Sequence, residues 1–263
     1  MTVHHAAAFA AALLLGAAIA RAEDLAVLAA GATESTLRDV IPAFEKESGH
    51  RVTVAFGAVG KLRDRVEAGE KPDVVIVTPV IVEQLEAKGR VRAGSRADLG
   101  EVGGGIAVRA GAPRPAVGTP DELKKALLQA AEVYYADPAI ATAGQHLMKV
   151  VDRLGIGDEV RKKGHVFPGG REAMQAMARS KANAIGLTQA SEILSVPEVV
   201  LVGPYPGDLQ NKTTYSGIVF SGAAHPEAAT AFLGFLGGPV ARARFAKAGF
   251  EPPASSRPGP PAR

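Results

Sequence analysis

The chain has 263 residues, 47% of them hydrophobic, and a formal net charge of +3. That is long and apolar enough for two modest globular domains, and its charges are interspersed, without the basic stripe that would track a nucleic-acid backbone. It contains no cysteine, which excludes disulfides, thiolate metal sites and a cysteine nucleophile and suits an exported protein.

Ala6 to Ala20 is an apolar run too short to span a bilayer, and Ala20-Arg21-Ala22 before Glu23 fits a signal-peptidase site. The spacing therefore predicts an export signal over residues 1–22, with His4 and His5 but no Lys or Arg before the apolar run. Leu25 to Ala30 reads as a strand buried on both faces. Gly31 and Ala32 let a ligand approach the backbone, and Thr33, Ser35 and Thr36 precede a helix whose apolar face is Leu37, Val40, Ile41 and Phe44. The unpaired N–H groups of such a helix start suit a negatively charged ligand. Arg51 to Phe56 is a second strand, followed by the turn Gly57-Ala58-Val59-Gly60 and a short helix from Lys61 to Ala68. Val74 to Val77 is a third strand, closed by Thr78-Pro79 ahead of a helix from Ile81 to Lys88. Three strand–turn–helix units in succession predict a parallel sheet with ligands at the carboxyl ends of its strands.

Gly94 to Gly118 is Gly- and Pro-rich and predicts a hinge into a second domain. Thr119-Pro120-Asp121-Glu122 is a helix start, Glu132 to Tyr135 a strand, and Ala136 to Gly144 a small-residue loop before a helix over Gln145 to Leu154. His165 to Phe167 and Ala184 to Leu187 are further strands, the first leading through Pro168-Gly169-Gly170-Arg171 into a helix, the second into Thr188-Gln189. After a strand at Val199 to Val202, Gly203 to Gly207 reads as the return crossing, Thr213 to Phe220 as a strand of the first domain, and 226–236 and 239–248 as helices. The resulting division is 1–22 signal, 23–103 with 205–250 as the first domain, 104–204 as the second, and 251–263, with five prolines, as a disordered tail.

The segments AAGATESTLRDVIPAFEKESG, VAFGAVGKLRDRVEAGEKPDVVIV, YADPAIATAG, NAIGLTQASEI and AFLGFLGGPVARARFAKAGFEP resemble the periplasmic molybdate-binding proteins of ABC importers. The resemblance runs from about Asp24 to Pro252. It implies an α/β chain of two domains with doubly wound, mostly parallel sheets joined by a hinge, the type II periplasmic binding protein fold. It further implies a monomeric receptor that needs no cofactor or metal, captures a small anion and hands it to the membrane component of an importer. The ligand loops depart from that family: Ala32 and Val59 stand where serines are usual, and Thr188 where a tyrosine is common. Lys61 and Arg171 instead put cations beside the expected pocket, which favours an organic polycarboxylate over a tetrahedral oxyanion. The ligand set expected from the loops is Gly31, Ala32, Thr33, Gly57, Val59, Gly60, Lys61, Thr78, Thr142, Gly144, Arg171, Thr188 and Gln189.

No nucleophile triad, carboxylate pair or metal-ligand spacing stands out in the sequence. A second reading is nevertheless open, because aconitate isomerase is similar to the molybdate-binding proteins in sequence and size. An allylic proton shift would need cations, for which Lys61, Arg63 and Arg171 are candidates, and one acid/base group, for which Glu34 and His146 are the titratable residues nearest the two helix starts.

Overall fold

A computed structural model describes residues 22–253, so the expected export signal, except Ala22, lies outside the described residues. The first units follow from their burial patterns. β1 (Asp24–Ala30) and β3 (Val74–Val77) are almost wholly buried, as central parallel strands must be. A single 3-10 turn, Gly31–Thr33, joins β1 to α1 (Glu34–Ser48), which ends at Gly49 in the left-handed conformation with φ 75°. β2 (Arg51–Gly57) pairs parallel to β1, and α2 (Val59–Glu67) and α3 (Pro79–Ala87) complete the layer of short helices.

β4 (Ala97–Arg109) is the strand on which the architecture turns. It is followed by α4 (Pro120–Gln129), β5 (Glu132–Ala136), α5 (Thr142–Arg153), α6 (Gly157–Lys162), β6 (Gly164–Phe167), α7 (Gly170–Arg179), β7 (Ala184–Gln189), α8 (Ala190–Leu194) and β8 (Val199–Pro204). β9 (Lys212–Val219) returns to the first half, where α9 (Pro226–Leu236) and α10 (Pro239–Lys247) finish the chain. The nine strands run in the order β2-β1-β3-β9-β4-β7-β5-β6, with β8 also on β4. The sets β2-β1-β3 and β6-β5-β7 are parallel, as the alternating units require, and the antiparallel pairings all involve β4 or β9. Ala97 to Gly103 pair with β9, whereas Gly104 to Arg109 pair with β7 and β8, so one strand belongs to both halves.

Each half closes over its own apolar core. Leu37, Phe44, Phe232 and Phe245 pack in the first, and Leu123, Leu127, Leu147 and Val151 in the second. Met174, Met177 and Ile193 fill the opposite face of the second half's sheet. Burial of each such large side chain contributes about 1.5–3 kcal/mol. Among the described residues no helix is long and apolar enough to cross a membrane.

Three differences from the sequence reading have physical reasons. The Gly-rich stretch after Gly94 is not a loop throughout, because it contains the 13 residues of β4. Its glycines serve packing: a Cβ on Gly104 would sit 2.3 Å from the Tyr205 ring, and one on Gly105 would sit 2.6 Å from Leu201. The Gln210 side chain then bridges Gly104, accepting from its N–H at 3.0 Å and donating to its carbonyl at 2.9 Å. Second, α2 and α5 begin earlier than expected, at Val59 and Thr142, which brings their first turns up to the loops. Third, Glu251, where the sequence predicts a disordered tail, forms an antiparallel bridge with Glu101 and an ion pair with Lys212.

Gly104→Ala is therefore expected to destabilise the fold by about 2 kcal/mol through overpacking against Tyr205. Urea unfolding checks this, and a change below about 0.5 kcal/mol would show that the strand crossing tolerates a side chain.

Candidate functional site

The carboxyl ends of β1, β2, β5 and β7 and the first turns of α2, α5 and α7 meet around a cavity of about 310 Å³ between the two halves. The first half contributes Gly31, Ala32, Glu34, Phe56, Gly57, Val59, Lys61 and Tyr215 to its wall. The second contributes Thr142, the stretch from Pro168 to Glu172, Gln189 and Glu192. The halves touch at this seam. The Gly60 N–H donates to the Ile140 carbonyl at 3.1 Å, and Arg171 at the start of α7 pairs with Glu34 of α1 at 3.1 Å. Arg38 bonds the same Glu34 oxygen at 2.8 Å and lies over the Phe56 ring.

Charge is unevenly spent in this wall. Lys61 is exposed and forms no ion pair among the described residues, so its ammonium is available to a ligand. Arg171 lies in the wall on the other half, and among the described residues its ion pair is with Glu34. Glu192 is buried at 8% exposure, although its carboxyl belongs to the cavity wall. The Thr188 hydroxyl donates to its Oε2, the Gln189 N–H approaches the same oxygen at 3.4 Å, and the Gly170 N–H also donates to the carboxylate. Oε1 lies on the side of Gly31, 3.4 Å from where a Cβ on that glycine would sit. Burial pushes the Glu192 carboxyl above the usual range, the three hydrogen bonds oppose the shift, and Glu172 adds to it. The Tyr215 phenol is likewise raised by burial and stays a neutral hydroxyl beside Gln189.

Of the ligand residues expected from the sequence, the cavity brings together Gly31, Ala32, Gly57, Val59, Lys61, Thr142, Arg171 and Gln189. Thr33 is fully buried beneath it, its hydroxyl donating to the Ala30 carbonyl at 2.8 Å. Gly60, Thr78 and Arg63 line a separate cleft of about 390 Å³, which shares Val59, Ile140 and Thr142 with the first. Gly144 is a packing position: a Cβ there would sit 2.1 Å from the Ala136 carbonyl oxygen. Thr188 and His146 border a small pocket behind the main wall. The His146 Nε2 bonds the Leu209 carbonyl at 2.8 Å, its ring meets Tyr205 edge-on, and burial lowers its pKa. Glu34 is at the cavity, held by two guanidiniums. Glu192 and Tyr215 were absent from the sequence reading. The only trace of Glu192 in the sequence is Gln189-x-x-Glu192, a capping-box spacing at the start of α8. Among the described residues no group of three or more His, Asp or Glu is placed to hold a metal.

A family model for bacterial extracellular solute-binding proteins matches residues 25–251. Aconitate isomerase from Pseudomonas sp is 32% identical over 234 residues, covering 87% of both chains. The molybdate-binding protein ModA of Azotobacter vinelandii is 25% identical over 228 residues, 86% of this chain and 88% of that one. Among solved structures, a periplasmic molybdate-binding protein of Azotobacter vinelandii superposes with a TM-score of 0.73 at 20% identity, covering 87% of this chain and 99% of its own. The sulfate-binding protein SubI of Mycobacterium tuberculosis gives 0.71 at 21% identity, covering 88% and 87%. The fold is accordingly that of the type II periplasmic binding proteins.

The buried carboxyl has a consequence for stability. With its folded pKa raised, the native chain binds more protons than the unfolded one between about pH 4.3 and the raised value, so stability falls as pH rises through that window. Glu192→Gln, a neutral near-isostere, should flatten this slope in urea unfolding compared at about pH 5 and about pH 8. Equal slopes for the two proteins would mean that Glu192 is ionised in the fold.

Proposed function

Because the chain belongs to the bacterial extracellular solute-binding protein family, we propose that its cavity captures a small organic polycarboxylate as the two lobes close, in the periplasm after export. The hinge lies where β4 and the return segment from Tyr205 to Asn211 cross between lobes at 23–103 with 205–250 and at 104–204. The observation that carries this reading is the pair of cations: Lys61 and Arg171 enter one cavity from opposite lobes. A ligand with several carboxylates can engage both at once, and Arg171 can exchange the Glu34 carboxylate for a ligand carboxylate in bidentate geometry. Two hydroxyls that could serve a tetrahedral oxyanion are turned elsewhere, Thr33 to Ala30 and Thr188 to Glu192, which leaves Thr142 and Tyr215 as the hydroxyl residues of the wall. The volume supports the same class, since about 310 Å³ falls within the range of roughly 300–1,000 Å³ found for pockets that hold small organic molecules. As a receptor the protein works as a monomer, needs no cofactor and docks on the membrane component of an ABC importer.

One observation favours a second reading on the same site. A buried acid, Glu192, stands at the wall of a cavity that otherwise needs only to bind, and the relative at 32% identity is an aconitate isomerase. Interconversion of trans- and cis-aconitate is an allylic proton shift, which requires two anchoring cations and one group that exchanges a proton.

Calorimetric titration with tricarballylate, trans-aconitate and molybdate tests the reading. Saturable tricarboxylate binding is expected, weakened by about 1.5–3 kcal/mol, roughly 10- to 150-fold, in Lys61→Ala and in Arg171→Ala. Tight molybdate binding with no carboxylate binding would overturn it.

A further inference from the structure

We propose that Glu192 is the proton carrier of the cavity, the group that takes a proton from a methylene carbon of the bound polycarboxylate and returns it to the far carbon of the adjoining double bond, two positions along. The proposal rests on the polycarboxylate reading and adds to it a chemical step and the residue that performs it. In that step the ionised carboxylate removes a proton from a ligand methylene carbon. The C–H electron pair becomes the new carbon–carbon double bond, the pair of the old double bond moves to its far carbon, and that carbon takes back the proton. Nothing is oxidised or reduced, no water is consumed, and Glu192 ends as it began.

The geometry separates Glu192 from the other titratable groups of the wall. Glu34 is bound to two guanidiniums through one oxygen, which commits it as a counter-ion. Glu172 is exposed at the edge of α7, and Lys61 and Arg171 are the cations that the ligand needs. Tyr215 is held as a neutral phenol by burial. His146 points away from this cavity to the Leu209 carbonyl. Among the carboxyls of the wall Glu192 is the buried one, at 8% exposure, with Oε2 held by the Thr188 hydroxyl and the Gln189 N–H and Oε1 on the side of Gly31. Neighbouring glycines make the placement possible. A Cβ on Gly170 would lie 1.8 Å from the Thr188 hydroxyl and 2.2 Å from Glu192 Oε2, so a side chain there would displace the carboxyl. A carboxylate poorly solvated by water is also a stronger base, which brings its pKa toward the range useful for moving carbon-bound protons. The charges around it are Glu172 and Arg171 on α7, Glu34 on α1 and Lys61 on α2, with the Tyr215 phenol on β9.

The test uses the mature chain with trans-aconitate in D₂O, following deuterium entry into the ligand by proton NMR while calorimetry measures binding. Wild-type protein should bind and exchange. Glu192→Gln should bind within about threefold of wild type and lose exchange by about 10²–10⁴-fold, the usual contribution of one positioned acid/base group. Thr188→Val gives an independent reading that leaves the carboxyl in place. Loss of its hydrogen bond removes an interaction that holds the Glu192 pKa down, so exchange should persist with its rising limb moved to higher pH. Unimpaired exchange in Glu192→Gln, or an unmoved limb in Thr188→Val, would overturn the assignment. Binding without exchange in wild type would overturn the proton role and leave the receptor reading standing. Absence of binding by any tricarboxylate would overturn that reading and this one together.

Discussion

The structure depends on one strand serving two sheets. β4 pairs with β9 through its first half and with β7 and β8 through its second, so the main chain itself joins the lobes. That crossing is crowded, and Gly104 and Gly105 are there because Tyr205, Leu201 and Ile193 occupy the space of their side chains. Gln210 ties the returning segment to the same strand by two hydrogen bonds. A crossing packed this tightly fixes where the lobes meet, and the facing loops touch as well: the Gly60 N–H donates to Ile140, Arg171 pairs with Glu34, the Gln189 amide donates to the Thr213 hydroxyl at 3.0 Å, and α7 and α8 both approach the Gly31–Thr33 turn. A ligand in the cavity would add contacts to both sides of this seam.

The anion-binding capacity and the ligand's identity have different physical origins. Helix first turns around the cavity supply a positive potential that any anion can use, and they come with the fold. Selection among anions then falls to a few side chains on those turns. Lys61 follows the short loop after β2, Arg171 opens α7, and Glu192 sits on the five-residue helix α8.

The regular elements were legible because their signals are local. Buried four-residue runs such as Val74 to Val77 and the complete capping box of Thr119 and Glu122 act over a few residues. β4 was obscured because its glycines answer to Tyr205 and Leu201, which lie far along the chain, and composition alone reads glycine as a turn. The loops that line the cavity were legible for the same local reason as the strands that feed them. The inward direction of each side chain was not. Thr33 reads as a ligand hydroxyl from its place in the turn, but its Oγ reaches the Ala30 carbonyl three residues back. Glu192 reads as an ordinary helix-start acid, and only the approach of Gly31 and Gly170 from other elements turns it into a buried wall residue.

Burying Glu192 is costly unless the carboxyl either holds its proton or is paired, and in this fold hydrogen bonds offset only part of the desolvation. An amide of the same shape would avoid that cost, so anion capture by itself does not require an acid here. The same cavity holds Lys61 on the facing half and Arg171 on the half that carries Glu192. Under the proposed proton role those cations would lower the cost of charge building up on the ligand, and the poorly hydrated acid would be a strong base once it gives up its proton. That role would give a reason for burying a titratable carboxyl whose desolvation the hydrogen bonds offset only in part.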